Sequence, residues 1–342
     1  MNNILVEIKS LDTLLVSPNK TSYVMKDANF SIKKGGSIGI IGESGSGKTE
    51  LLKTITGTQR MIPGITNGSV TYHLKGNKKH SVYYKKNEKF YINKDHEKIK
   101  KELIGFIPQD PKSFLNPFWT VKRIFNETYS IKERNVSIEE FMSYHLKQVD
   151  IDYSQYQHKR AKQLSGGEAQ RVMVAFVLSK EPNLIIADES STGLDVTRQR
   201  TVIDTFKKIR KSNPDLSMVF ISHDLGFLSH VVEEYYVLYG GFICEHITNK
   251  NQFKDLDKLH PYTKDLVSSL LPTESEGSGF KHDEVATTLL NKPLVGCPYY
   301  NAKCDNESCD NENHFHNQIP PIFDENGEKT NVDLNKRWKR SK

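Results

Sequence analysis

The spacing of apolar residues changes along this chain. Short apolar runs alternate with turn residues up to about residue 36, which predicts several short β-strands. Three later runs are mostly apolar, as expected for strands buried on both faces of a sheet: 37–41 (SIGII), 184–187 (LIIA) and 218–221 (MVFI). Apolar residues in 196–210 recur at helical spacing. The order strand, helix, strand predicts an α/β fold with a parallel sheet.

Two further segments have a different pattern. Residues 112–180 are predicted to be mainly helical. After about residue 272 the chain becomes rich in Ser, Gly and Asn, contains Pro320-Pro321 and ends with basic residues. This composition predicts a separate, loop-rich extension. A length of 342 residues favours two domains, at roughly 150 residues per domain.

Composition argues against two classes of protein. Apolar residues make up 36% of the chain and charged residues 26%, a balance that fits a globular protein rather than a largely disordered one. The longest clearly apolar run, 172–178, is far shorter than the ~20 residues that cross a hydrocarbon core. The N-terminus lacks a basic region followed by an apolar stretch, so we expect no secretory signal and a cytoplasmic location.

The net charge of +6 is distributed unevenly. Residues 75–101 contain ten lysines against three acidic residues, together with Tyr83, Tyr84, Phe90 and Tyr91. Lysines interleaved with aromatic residues occur in nucleic-acid-binding surfaces. A solvated face explains the same composition and is the interpretation that we prefer, with weak attraction to anionic lipid headgroups as the alternative.

A glycine-rich segment after the predicted strand at 37–41 fits the phosphate-loop pattern, with the sequence GESGSGKT at 42–49. In such a loop backbone N–H groups surround phosphate oxygens, and the following helix adds its positive dipole. Lys48 is expected to reach the β- and γ-phosphates, and Thr49 to ligate Mg²⁺. A plain glycine turn is the alternative, which the strand–loop–helix setting disfavours. The residues assigned to ATP binding here are Gly42, Ser44, Gly45, Ser46, Gly47, Lys48 and Thr49.

Two adjacent acids follow the apolar run at 184–187. Asp188, at the carboxyl end of a predicted parallel strand, is placed to hold the Mg²⁺ shell, and Glu189 to polarise a water aimed at the γ-phosphate. Acids at a strand end can instead cap the next loop. Together with the phosphate loop, however, the pair predicts a nucleoside triphosphatase.

A third motif, LSGGEAQR at 164–171, places a serine and two glycines at the start of a predicted helix, which is an anion site. With the phosphate loop, Gln109, the Asp188-Glu189 pair and His223, in that order, it resembles the ATP-binding subunits of ABC transporters. The resemblance covers residues 1 to about 272. It implies a P-loop ABC-type nucleotide-binding domain with an antiparallel β subdomain, a helical subdomain and a loop-rich C-terminal extension. It also places the lysine-rich stretch in a solvent-exposed β arm.

The resemblance implies roles for individual residues. It assigns catalysis to Glu189 and His223, the latter through the γ-phosphate, and communication across a dimer to Asp195. The implied Mg²⁺ ligands are Thr49, Gln109 and Asp188. Gln109 is also implied to bind ATP at its γ-phosphate and to adjoin the permease. The signature residues implied to face the ATP of the opposite subunit are Ser165, Gly166, Gly167 and Gln170. Two ATP molecules would then lie between two such subunits.

This sequence departs from the family pattern without losing a catalytic group. The departures are Pro108, Glu168, Ala169, Ser190 and Gly193. The aromatic residue that usually stacks on adenine is absent from its expected position, near which Leu15 lies. Tyr23 is the substitute candidate for ATP binding, and a packing role on its strand is equally compatible with the sequence.

Further motifs narrow the resemblance. QDP at 109–111, LNP at 115–117, LDVT at 194–197 with Gln199, and HPYT at 260–263 are similar to the importers of oligopeptides, dipeptides and nickel. The tail and QRVM at 170–173 are similar to the first of their two ATPase subunits. The implied organisation is an ABC ATP-binding domain at 1–255, with its helical subdomain at about 112–180, and an oligopeptide-transporter-type extension at 256–342.

The resemblance implies a function and partners. ATP hydrolysis would drive uptake of oligopeptides through a separate membrane permease, with dipeptides, nickel or a metal chelate as alternative cargo. The partners would be a homologous second ATPase, the permease subunits and, indirectly, an extracellular binding protein, with no nucleic acid. The chain would be peripheral at the cytoplasmic face of the cell membrane.

Two other classes of function fit the sequence less well. An ABC ATPase that acts on nucleic acid or ribosomes is disfavoured because the chain has one ATPase domain and no long coiled-coil insertion. A regulatory ATP-binding module without turnover is disfavoured because Glu189 and His223 are both present.

Three cysteines are grouped in the tail: Cys297, Cys304 and Cys309. They resemble part of the C-terminal region of oligopeptide-type subunits, where four cysteines hold an iron–sulfur cluster, but the fourth cysteine is missing. We therefore expect no intact four-iron cluster. A modified cluster or zinc site completed by His314 or His316 and a tail that only packs both stay open. Cys244 is predicted to be a small buried side chain in a strand.

Overall fold

The computed structural model describes residues 3–17, 20–59, 63–87, 89–130, 135–188, 196–270, 322–323 and 329–330. The strands are β1 (Ile4–Ser17), β2 (Lys20–Lys33), β3 (Ser37–Ile41), β4 (Pro63–His73), β5 (Lys79–Ser81), β6 (Tyr83–Lys86), β7 (Lys89–Ile92), β8 (Ile104–Ile107), β9 (Leu184–Asp188), β10 (Ser217–Ile221), β11 (Glu234–Tyr239), β12 (Phe242–Ile247), β13 (Ile322–Phe323) and β14 (Lys329–Thr330). The helices are α1 (Lys48–Ile55), α2 (His96–Leu103), α3 (Pro111–Phe114), α4 (Val121–Tyr129), α5 (Ile138–Lys147), α6 (Tyr153–Tyr156), α7 (Gly166–Leu178), α8 (Val196–Ser212), α9 (Leu225–Val231) and α10 (Pro261–Leu270).

These elements fall into two compact units that alternate along the chain. The first unit comprises Met1–Leu5, Ile32–Ile40 and Lys94–Glu233. The second unit comprises Val6–Ser31, Ile41–Asn93 and Glu234–Lys342. The chain therefore passes from the first unit to the second at the end of β3, directly before the glycine-rich segment.

A parallel sheet forms the centre of the first unit, with the neighbour order β8-β9-β10-β3. Every residue of β3 and β10 is buried, because these strands are covered on both faces. The predicted strands at 37–41, 184–187 and 218–221 are confirmed. The helix predicted at 196–210 is confirmed as α8.

Helices α3 to α7 occupy the segment that was predicted to be helical at about 112–180. Phe125 on α4 joins three of them, since its ring centroid lies 6.5 Å from that of Phe141 on α5 and 6.1 Å from that of Phe176 on α7. Helix α7 also packs tightly on β8. A Cβ atom on Gly105 would lie 2.3 Å from Val177 Cγ1. Both contacts lie near the C-terminal end of α7, and they hold in place the helix that carries the LSGGEAQR motif at its other end.

An antiparallel sheet in the second unit has the order β2-β1-β4-β5. Strands β1 and β2 are each 14 residues long, whereas the sequence predicted several short strands. The pairing of β1 with β4 shifts register around Asp12, and Ser10 has a positive φ of 43°. A bulge thus bends the strand without ending it. Beside the bulge, buried Lys26 pairs with Asp12 at 2.9 Å.

The lysine-rich segment at 75–101 is part strand and part helix. Its strands include the hairpin β6–β7, in which Tyr84 and Tyr91 face each other with ring centroids 5.7 Å apart. Both tyrosines are more than 40% exposed, which agrees with the preferred solvated face. The segment then continues into α2, whereas the resemblance implied a β arm for the whole lysine-rich stretch. No helix within the described ranges is both long enough and apolar enough to cross a bilayer.

Candidate functional site

The glycine-rich segment at 42–49 forms a loop between β3 and α1, as predicted. Helix α1 begins at Lys48, and Gly47 is its N-cap residue in a left-handed conformation, with no side-chain cap. The first N–H groups of a helix have no acceptor within the helix. This N-terminus therefore presents backbone donors and the positive end of the helix dipole, as an anion site requires.

Two glycines of this loop are required by close packing inside the second unit. Gly42 has a φ of +152°, and a Cβ atom on it would lie 2.2 Å from the Leu238 carbonyl oxygen. Gly47 has a φ of +105°, and a Cβ atom there would lie 2.7 Å from Met25 Sδ. Strands β2 and β11 thus enclose the loop so tightly that a side chain at either position would displace it.

The loop also carries a cation and a buried hydroxyl group. Lys48 Nζ donates hydrogen bonds to the carbonyl oxygens of Gly42 and Glu43, each at 2.6 Å. The Ser46 hydroxyl is buried without a hydrogen-bond partner among the described residues. Thr49 is exposed in the first turn of α1. An ammonium group, an unsatisfied hydroxyl and a helix N-terminus fit phosphate oxygens, and the Thr49 hydroxyl is a suitable Mg²⁺ ligand.

Three predicted site residues lie at one edge of the parallel sheet in the first unit. Asp188 is the last residue of β9 and pairs in register with Ile221 of β10. Gln109 and His223 lie just beyond the ends of β8 and β10, and both are exposed. The carboxyl ends of neighbouring parallel strands meet at the same edge, which is where α/β proteins bind ligands. The structure therefore brings Gln109, Asp188 and His223 to one edge.

Hydrogen bonds anchor the backbone on both sides of His223. The Asp224 carboxylate caps α9 by accepting the Phe227 N–H at 2.9 Å, and it also accepts a hydrogen bond from the Gln199 side chain. The Ser222 hydroxyl accepts the Asp224 N–H at 3.0 Å. Gln199, which the sequence offered only as part of a motif, thus contributes to fixing this turn.

The signature segment starts α7 with a reciprocal cap. The Ser165 hydroxyl accepts the Glu168 N–H at 3.3 Å, and the Glu168 carboxylate accepts the Ser165 N–H at 2.7 Å. The Tyr156 hydroxyl also donates to Glu168, and Lys159 Nζ lies 3.6 Å away. These contacts, chiefly the Tyr156 hydrogen bond, lower the pKa of Glu168 to about 2. Glu168 therefore stays ionised with its charge shared among donors.

The role of Glu168 as a capping residue was not predicted, although the sequence contains the signal for it. Serine followed three residues later by glutamate is the capping-box spacing. The two glycines of the motif face open space: a Cβ atom on Gly166 would meet nothing within 4 Å, and one on Gly167 would reach only the end of Arg171 at 4.0 Å. Gln170, in contrast, is buried. The helix start is thus open beside its glycines.

The adenine-stacking candidate lies on the strand that packs against the loop. Tyr23 is half-buried on β2, two residues before Met25, and Lys26 Nζ lies 4.4 Å from its ring centroid. Leu15 is on β1 and is 42% exposed. Both the stacking and the packing interpretation of Tyr23 agree with this environment, so the assignment stays a prediction.

Part of the predicted site falls outside the described residues. These residues are Glu189, Asp195, Cys297, Cys304 and Cys309. Cys244 is confirmed as a buried side chain in β12. Within the described part of the chain, no group of three or more His, Cys, Asp or Glu side chains could hold a metal ion.

One contact of the loop was not predicted. Tyr262 on α10 is 1% exposed, and its hydroxyl oxygen accepts the N–H of Glu43, the second residue of the loop, at 3.0 Å. Tyr262 belongs to the HPYT motif, which the sequence offered only as a mark of resemblance. Nothing in local spacing indicates a partner 219 positions earlier.

Comparison with known proteins agrees with this architecture. A family described as ABC transporter matches residues 25–192. The oligopeptide transport ATP-binding protein OppD of Bacillus subtilis (strain 168) is 32% identical over 285 residues, which are 80% of this chain and 74% of OppD. The dipeptide transport ATP-binding protein DppD of the same organism is 30% identical over 313 residues, 88% of this chain and 87% of DppD.

A solved structure gives the same fold. It is a dimeric post-hydrolysis state of the ATP-binding cassette MJ0796 bound to ADP and Pi. It aligns with a TM-score of 0.57 at 24% identity and covers 71% of this chain and 98% of that chain. The predicted ABC-type α/β fold is thereby confirmed.

Proposed function

The chain belongs to the ATP-binding proteins of ABC transporters, and from that membership we propose that it hydrolyses ATP to drive oligopeptide uptake through a separate membrane permease. The observation that carries the proposal is the phosphate loop. It combines in one segment an uncapped helix N-terminus, the Lys48 ammonium group and the buried Ser46 hydroxyl, which has no partner in the described part of the chain. These groups are complementary to the phosphates of a nucleotide.

The loop residues bind and orient the phosphates. Lys48 contacts the β- and γ-phosphate oxygens, and the Ser46 hydroxyl gains a partner. Thr49, Gln109 and Asp188 are the side chains that would hold Mg²⁺, which neutralises charge on the phosphates when bound. Each offers an oxygen atom, as this cation prefers.

Two residues act on the attacking water and the γ-phosphate. Glu189 orients the water through its carboxylate charge, and His223 donates to the γ-phosphate. Support for His223 comes from its place beyond the carboxyl end of β10, next to the strand that ends in Asp188. Tyr23 stacks on adenine from β2.

Each ATP also needs residues from a second subunit. Ser165, Gly166 and Gly167 serve the ATP bound by the partner, and Gln170 supports that segment. The open space beside Gly166 and the start of α7 support this role, because a phosphate can approach the helix N-terminus there. Asp195 carries the signal between the two sites. The partner is a homologous second ATPase.

The permease docks beside Gln109. Phe114 and Phe118 follow Gln109 closely in the first unit and are 65% and 69% exposed. Two large aromatic side chains exposed this close together are typical of an interaction site. Docking there places the chain at the cytoplasmic face of the cell membrane, and the same surface transmits closure of the ATP sites to the permease.

Oligopeptides are the proposed cargo because OppD carries that name and is similar over most of this chain. DppD is similar to the same degree, so dipeptides are the alternative. Cargo reaches the permease from an extracellular binding protein and does not touch the ATPase. Uptake of labelled peptides of different length by the assembled transporter decides between them.

Glu189→Gln tests the catalytic assignment. The amide keeps the shape of the side chain and loses the charge that orients water, so turnover should fall to near zero while ATP binding is retained. Steady-state ATPase rate and nucleotide binding are measured on the assembled transporter. Lys48→Ala should lose binding as well, and Glu233→Gln, on the exposed surface, should change neither.

Wild-type turnover in Glu189→Gln would remove this residue from its role. Loss of binding in Glu189→Gln would show instead that the carboxylate supports the loop rather than the chemistry. No binding by the wild type would refute ATP hydrolysis itself.

A second test concerns the partner subunit. Lys48 and Ser165 of one chain serve different ATP molecules, so the isolated chain should hydrolyse ATP slowly. Adding the companion ATPase and permease should raise the rate. Full activity of a chain shown to be monomeric by light scattering would contradict the shared sites.

A further inference from the structure

The HPYT motif at 260–263 forms a chain of hydrogen bonds that ends on the phosphate loop. The His260 N–H donates to the Glu245 carboxylate of β12 at 3.1 Å. The Tyr262 N–H donates to His260 Nδ1 at 3.2 Å. The Glu43 N–H donates to the Tyr262 hydroxyl oxygen at 3.0 Å. All of these residues belong to the second unit.

The structure explains why His, Pro and Tyr occupy the first three positions of the motif. His260 precedes α10, and its ring nitrogen accepts a first-turn N–H, as an N-cap side chain does. Pro261 is the first residue of α10, where its missing N–H costs nothing. The next residue, Tyr262, is thereby held in a fixed direction. Its ring packs against Tyr239 with centroids 4.4 Å apart.

The peptide group that Tyr262 contacts provides one of the two carbonyl oxygens that accept from Lys48 Nζ. The Glu43 N–H and the Gly42 carbonyl belong to the same planar peptide unit and point in opposite directions. The Gly42 oxygen accepts from Lys48 Nζ at 2.6 Å. A hydrogen bond that fixes the N–H on one side therefore also fixes, on the other side, one of the two oxygens that hold the ammonium group.

We propose that Tyr262 is a positioning residue for the phosphate loop. Its hydroxyl helps to position Lys48 through the peptide group between Gly42 and Glu43. The inference rests on nucleotide binding by the loop. The side chains in this chain of hydrogen bonds are almost completely buried, with Glu245, His260 and Tyr262 each at most 2% exposed. Water therefore cannot readily replace the Tyr262 hydroxyl as acceptor for the Glu43 N–H, and the orientation of this peptide group depends on that contact.

Tyr262→Phe tests the proposal, because it removes the hydroxyl and keeps the ring. Without its acceptor the peptide can rotate, and Lys48 is then held less firmly because the Gly42 oxygen is no longer fixed. Lys48 binds phosphate oxygens before and during the reaction, so KM for ATP should rise roughly three- to tenfold while kcat changes less than twofold. Direct ATP binding to the full chain should weaken by the same factor.

Two other tyrosines provide matched controls. The Tyr72 hydroxyl donates to the Ile55 carbonyl at the opposite end of α1, at 2.7 Å. Tyr72→Phe should lower the thermal midpoint and leave KM unchanged. The Tyr235 hydroxyl is buried without a partner among the described residues, so Tyr235→Phe should not lower the thermal midpoint and should leave KM unchanged.

An unchanged KM and ATP affinity in Tyr262→Phe would overturn the inference. So would an equal rise of KM in Tyr72→Phe, because lost stability would then explain both. If Tyr262→Phe does not fold, Glu245→Ala and its matched variant Glu245→Gln replace it, and only the former should weaken ATP binding. Absence of ATP binding by the wild type would refute the proposed function, whereas normal wild-type binding with no change in the variants refutes this inference alone.

Discussion

Replacing Glu245 by glutamine should change how the stability of this protein depends on pH. Glu245 lies on β12, is 2% exposed, and accepts the His260 N–H. Burial raises the pKa of Glu245 from an ordinary value of 4.5 to about 7, although the hydrogen bond from His260 opposes the rise. The folded protein therefore keeps a proton on this carboxyl group that the unfolded chain has already lost.

The sign and size of the effect follow from this difference. Between pH 4.5 and about 7 the folded state binds more protons at Glu245 than the unfolded state does, so the free energy of unfolding falls as pH rises. A difference of one in pKa corresponds to about 1.4 kcal/mol. Ionisation of Glu245 should thus cost the wild type about 3 kcal/mol once the pH exceeds about 7.

Urea unfolding of the wild type and Glu245→Gln at a series of pH values measures this cost. Glutamine keeps an oxygen atom that accepts the His260 N–H and does not titrate. Its stability relative to the wild type should rise by roughly 2.5 kcal/mol from about pH 5 to about pH 8, since part of the effect is already present at pH 5. The comparison at each pH cancels the other titrating groups. Glu97→Gln is the control, because its exposed carboxyl group has a pKa lowered by a hydrogen bond from Lys100.

A difference between wild type and Glu245→Gln that does not vary with pH would refute the reasoning. It would mean that water or a rearranged side chain stabilises the ionised carboxylate inside the folded protein. A gain of the same size in Glu97→Gln would also refute it, since that group should show the opposite trend.

Two further predictions concern α7 and the tail. Glu168→Ala should lower the free energy of unfolding by about 1 kcal/mol because the Ser165 N–H loses its acceptor, whereas Glu168→Gln should lose less; equal losses in urea unfolding would contradict the cap. Replacing Cys297, Cys304 and Cys309 by serine should leave ATP hydrolysis unchanged. Anaerobically purified wild type should lack stoichiometric iron and acid-labile sulfide, and finding both, lost in the triple variant, would show that the tail holds a cluster.

The sequence was most informative where local pattern and local structure coincide. The predicted strand at 37–41 matches β3, and the run at 184–187 with its following acid matches β9, because a strand buried on both faces leaves a continuous apolar run. The phosphate loop was predictable because its glycines are needed for backbone geometry, as the close approach at Gly42 shows.

The sequence was less informative where tertiary contacts determine the local structure. Turn residues near the N-terminus predicted short strands, but pairing with β4 holds β1 together through a bulge at Ser10. The capping box of Ser165 and Glu168 was visible in the spacing, whereas the third partner, Tyr156, is brought in by folding. Propensity within a window cannot report such contacts, because they depend on which elements meet.

The phosphate loop of this chain depends on residues far beyond the segment shared with the family at 25–192. The Leu238 carbonyl packs against Gly42. Gly241 donates a backbone hydrogen bond to the loop, and the Tyr262 hydroxyl accepts one from it. The boundary predicted between 255 and 256 stays a prediction, and it separates Tyr262 from the loop that it contacts. Because α10 lies in the same compact unit as the loop, a fragment that ends at residue 255 would lose this contact. We therefore expect the start of the predicted extension to contribute to nucleotide binding through its contact with the phosphate loop.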